Sequence, residues 1–122
     1  MRRSLFIAGA VMAVAVPAAA AAAERSPTER ETLTSLSFTL GESHALRQTC
    51  QGADDQTWRS WMARLLRTEA PDDALERRMR DSFNTGYFAA QARFPNCDAE
   101  AEAAAQAAAA RGKLLSRQLG ER

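Results

Sequence analysis

Apolar residues change their spacing twice along the chain. Before residue 24 they form a near-continuous run, between residues 29 and 96 they recur at intervals of three or four, and beyond residue 99 they are mostly alanine. Intervals of three and four predict helices. Past residue 24 no run of alternating β-branched residues predicts a strand.

The first helix is predicted to open at Ser26-Pro27-Thr28-Glu29, with proline at an early helical position, and to run to about Cys50. At 100° per residue, Leu33, Leu36, Leu40, His44, Arg47 and Cys50 share an arc of about 120°. Gln51-Gly52-Ala53 closes it, glycine taking the left-handed cap. A second helix follows from Asp54 or Asp55 to about Thr68, with Trp58, Trp61, Met62 and Leu65 as a core-facing stripe that Glu69 continues. Ala70-Pro71 breaks it, because the residue before proline avoids the helical region.

Asp72 or Asp73 opens the third helix, which runs through Phe94 and is ended by Pro95-Asn96. Leu75, Met79, Ser82, Phe83, Gly86, Ala90 and Phe94 gather on one side, with Tyr87 at the edge. Glycine costs a helix interior about 1 kcal/mol relative to alanine, so Gly86 on that side predicts close approach by a neighbouring helix. Asp98 caps a fourth helix whose alanine run is strongly helical but offers little apolar area. Leu114, Leu115 and Leu119 anchor its end. The expected fold is all-α: one domain over residues 24–122, a small bundle of about four helices with its core between about 29 and 119, frayed at 24–27 and 120–122.

The N-terminus reads differently. Two arginines precede an apolar run, and Ala21 and Ala23 meet the small-x-small rule, so residues 1–23 are read as a signal peptide cleaved after about Ala23. The strongly apolar part, Leu5 to Val16, is 12 residues, shorter than the roughly 20 of a spanning helix. No integral membrane span is therefore expected after cleavage. Without Arg2 and Arg3, 14 basic residues face 15 acidic ones. That balance argues against a nucleic-acid binder, which usually shows a basic face or stripe.

Export changes the meaning of the two cysteines. In an oxidising compartment Cys50 and Cys97 are expected to form a disulfide, tying the ends of the first and third helices together. There is no CxxC, and the single histidine does not complete a metal set. No cofactor or metal is expected. A lone histidine without a nameable nucleophile or metal partner also argues against catalysis.

His44 and Arg47 then stand out as polar groups on an apolar stripe. A buried arginine requires a carboxylate or several carbonyls, and Glu69 is the candidate partner. In one reading these residues form a structural network, with His44 bonded to Asn84 or Tyr87. In the other, Arg47 meets a ligand carboxylate in bidentate geometry, and Asn84 and Tyr87 hydrogen-bond a sugar or peptide.

The segments LGxxHxLRxxC (Leu40 to Cys50), WRxxMxxLL (Trp58 to Leu66), FNxGYF (Phe83 to Phe88) and FPxC (Phe94 to Cys97) resemble a family of small exported alphaproteobacterial proteins of unknown function. The resemblance covers roughly residues 33–119. It implies two bonded cysteines, an envelope role in cell-wall growth and division, and peptidoglycan binding as the activity. It carries no catalytic residues. The functional expectation is a non-enzymatic periplasmic protein that binds peptidoglycan or envelope proteins. The alternative is an assembly module, including a homodimer, using Phe38 and Phe88, which lie off their helices' main stripes.

Overall fold

The computed structural model describes residues 9–14 and 25–120. The signal-peptide reading lies mainly outside the described residues. Four helices, with no strand among the described residues, make the all-α bundle that the apolar spacing predicts: α1 (Pro27–Gln51), α2 (Thr57–Glu69), α3 (Asp73–Arg93) and α4 (Ala99–Gly120).

Local chemistry sets the ends. Ser26 and Glu29 form a reciprocal capping box ahead of α1, satisfying two backbone donors at once. Gly52, at φ 113°, stops α1 in a conformation that L side chains rarely adopt. Asp55 accepts from the Thr57 backbone N–H at 3.0 Å, but Gln56 is the N-cap and α2 begins one residue later than an Asp55 N-cap would place it. Asp72 caps α3 by accepting from Leu75, and Asp98 accepts from Ala101 at the start of α4.

Short connections make the helices run up, down, up and down. Arg25 meets Glu69, Arg30 meets Asp72, and Glu42 meets Arg111, so α2 and α4 run antiparallel to α1 while α3 runs parallel to it. The principal packing contacts all involve α1, which touches α2, α3 and α4 in turn. Its buried surface is therefore wider than the predicted stripe, and adds Ser37, Thr39, Gly41, Ser43, Ala45 and Leu46. Small polar residues are tolerated there because the Ser37 and Thr39 hydroxyls donate back to the Leu33 and Ser35 carbonyls at 2.8 and 3.0 Å.

The α1–α3 crossing is glycine-mediated. A Cβ on Gly41 would overlap the Phe83 carbonyl, and one on Gly86 would overlap the Phe38 carbonyl. The close approach expected at Gly86 is present, and Gly41 is its counterpart across the crossing.

The core has two parts. Leu33, Leu36, Leu40, Met62, Leu75 and Met79 lead the larger one. Ala45, Leu46, Ala90 and Ala101 form a smaller one at the other end, with Cys50, Tyr87 and Phe94 packed against it. The Cys50–Cys97 disulfide closes that thinner end, with its Cα atoms 4.9 Å apart.

Candidate functional site

His44 lies in the C-terminal half of α1, facing a cleft bounded by α1, α2 and α3. The residue is 3 % exposed, and Nδ1 is buried without a hydrogen-bond partner. The ring instead packs between aromatic neighbours, its centroid 5.2 Å from Tyr87 and 5.8 Å from Phe83. Burial pushes the imidazole pKa below 6.5, and the nearby Arg59 charge lowers it further against a smaller opposing effect of Asp55. The ring is accordingly neutral at pH 7.

The cleft holds about 450 Å³ and brings together His44, Gln48, Arg59, Arg80, Asn84 and Tyr87. Tyr87 donates to Gln48 Oε1 at 2.6 Å, bridging α3 to α1. Its expected bond to His44 is replaced by ring packing. Phe88 stands edge-on to Tyr87 at 5.4 Å on the rim, 62 % exposed. Arg80 makes a 3.3 Å surface pair with Glu76. None of the described lining residues is acidic, so two arginines line the cleft, of which Arg80 is paired with Glu76 just outside the lining.

The structure brings His44, Asn84 and Tyr87 to one cleft. Arg47 and Glu69 are elsewhere. Arg47 is 43 % exposed along its side chain and pairs with Asp55, Nε to Oδ2 at 2.8 Å. This contact holds the Asp55 carboxyl below its usual range. In the last turns of α1, beyond the cover of the main core, a long side chain reaches solvent more cheaply than it buries. Glu69 lies at the opposite end of the bundle, because α2 returns antiparallel and ends beside the start of α1. There Arg25 grips it with two bonds of 2.8 and 2.7 Å, while also reaching Glu29 and the Leu119 carbonyl. The result is a pair that joins the N-terminal segment to α2 and α4, far from His44.

Gln48, Arg59 and Arg80 were missed as site residues, although their spacing was visible. Gln48 is one turn past His44. Arg80, Asn84, Tyr87 and Phe88 stand at i, i+4, i+7 and i+8 on a single face of α3. Among the described residues, no three His, Cys, Asp or Glu side chains converge to hold a metal ion. No described helix is long and apolar enough to cross a membrane.

These features define a disulfide-stapled four-helix domain with a cationic, aromatic-lined cleft. The chain belongs to the family described as protein of unknown function (DUF2385), whose sequence model matches residues 27–122. No curated protein and no solved structure matches it.

Proposed function

We propose that the protein is an exported, non-enzymatic binding module of the periplasm, and that the α1/α2/α3 cleft takes an anionic polar ligand, the carboxylates of peptidoglycan stem peptides. The observation that carries this reading is the convergence of Arg59 and Arg80 on a cleft whose described wall has no carboxylate. Arginine recognises carboxylates bidentately. Tyr87, Phe88 and Asn84 would supply stacking and hydrogen bonds to the adjoining sugar or amide. The Cys50–Cys97 disulfide supports an oxidising compartment, in keeping with a signal peptide over residues 1–23.

The exposure of Phe88 is the observation that favours an assembly role instead. Its ring borders the same cleft, however, so ligand stacking accounts for it without a second copy.

The test is co-sedimentation of the purified oxidised chain with isolated sacculi, beside an Arg59→Ala/Arg80→Ala variant. Native binding with loss in the double variant supports wall recognition. Equal pelleting of both chains, or of neither, overturns it. A shift in sedimentation coefficient abolished by Phe88→Ala would favour assembly.

A further inference from the structure

On the side of α1 away from α3 runs a second and larger opening, about 570 Å³, between α2 and α4. Its cause is in the sequence. Both helices rest on α1 but hardly on one another, and α4 turns Ala108, Ala109 and Gly112 toward the gap, side chains too small to fill it. Leu36 and Leu40 form the floor, and Trp58, Trp61 and Leu65 form the α2 wall. Trp61 was expected in the core but is 50 % exposed, because α2 is covered on only one side and Met62 and Leu66 occupy that side.

The charges are one-sided. Arg64 projects from α2, its guanidinium 5.2 Å from the Trp61 ring centroid, and Lys113 stands on the α4 wall. None of the described lining residues is acidic. An apolar trough with two cations on opposite walls complements a molecule with a hydrocarbon body and a single negative head.

Shape selects among such molecules. From Trp58 to Thr68 the α2 wall is about 15 Å long. That length accommodates an extended chain, and the apolar floor with Arg64 and Lys113 as its two cations calls for one with a single anionic end. We propose that the α1/α2/α4 groove binds a medium-chain fatty acid, with its carboxylate between Arg64 and Lys113 and its tail along Leu40, Trp58 and Ala108. This site is separate from the His44 cleft and does not depend on the wall-binding proposal.

The chain supplies its own probe, since Trp58 and Trp61 are its two tryptophans and both line the groove. The experiment is titration of the oxidised chain, below micelle formation, with dodecanoate brominated at its terminal carbon, while following tryptophan emission. Saturable quenching is expected. It should weaken at least about tenfold, equivalent to 1.4 kcal/mol, in Arg64→Gln/Lys113→Gln, and for the brominated methyl ester in the native chain. Ala109→Phe, a change at an exposed wall position, should abolish it. The double variant alters exposed positions and keeps the test open if Ala109→Phe fails to melt like the native chain. Non-saturable quenching, equal affinity for acid and ester, or undiminished quenching in a folded Ala109→Phe chain would overturn the proposal. So would a dimer in sedimentation that Ala109→Phe dissociates, because a second copy would then fill the groove.

Discussion

His44 is the residue at which burial, charge and site chemistry meet. A histidine 3 % exposed, with Nδ1 unpartnered and Arg59 nearby, has every reason to remain neutral. As the single histidine of the chain it gives one resolvable imidazole titration by NMR. The midpoint is expected below 6.5 and should rise in Arg59→Ala; an unmoved midpoint would place Arg59 too far away to matter. The consequence for stability has a definite sign. Above the unfolded-state pKa of about 6.5 both states are neutral and the histidine contributes no pH dependence. As pH falls through 6.5 toward the depressed folded value, the unfolded chain gains its proton first and stability declines. Asp55 and Asp72, both lowered by their arginine partners, act in a more acidic window, below about 4. The chemistry of His44 was legible because a polar group on an apolar stripe is visible in sequence. The fates of Arg47 and Glu69 were not, since they depend on where each helix ends relative to its neighbour.

At the scale of elements, capping and spacing were almost wholly readable. Ser26, Gly52, Asp72 and Asp98 each mark a boundary that the backbone respects. The width of the buried surface was less so. A stripe analysis assigns one face to each helix, whereas α1 serves three neighbours, and Ser37, Thr39 and Ser43 do not announce burial by their chemistry. Conversely, the tryptophans of α2 sit at core spacing, yet only half the expected cover is present. The glycines provide a test of this packing. Gly41→Ala and Gly86→Ala each drive a methyl into a backbone carbonyl, which outweighs the gain of about 1 kcal/mol in helix propensity. Each should lower stability by about 2 kcal/mol or more in denaturant titration. Gly112→Ala should raise it by about 0.5–1 kcal/mol, because its new Cβ would meet only Thr39 and Leu36 side chains at 3.6 and 3.9 Å. Equal effects at the three positions would refute the close crossing.

Taken whole, the molecule is a hub with three attachments, and its two cores are unequal. The alanine-rich end depends on its covalent bond. Linking residues 47 apart removes loop entropy from the unfolded chain worth about 4 kcal/mol, a large share of the roughly 5–15 kcal/mol typical of a domain. Thermal melting with and without reductant should show a drop of more than about 10 °C, and an unchanged midpoint would mean that the alanine core holds by itself. The hub also has a history. Synthesis runs from the N-terminus, so α1 is made first and every surface that covers it arrives later. Until α3 and α4 follow, its future interior faces water, and Cys50 has no mate until 47 more residues have been added. The seryl and threonyl hydroxyls bonded back along α1, and the small residues among them, leave the waiting helix less sticky than a leucine-rich centre would be. The composition of the central helix is thus suited to the interval in which it stands alone.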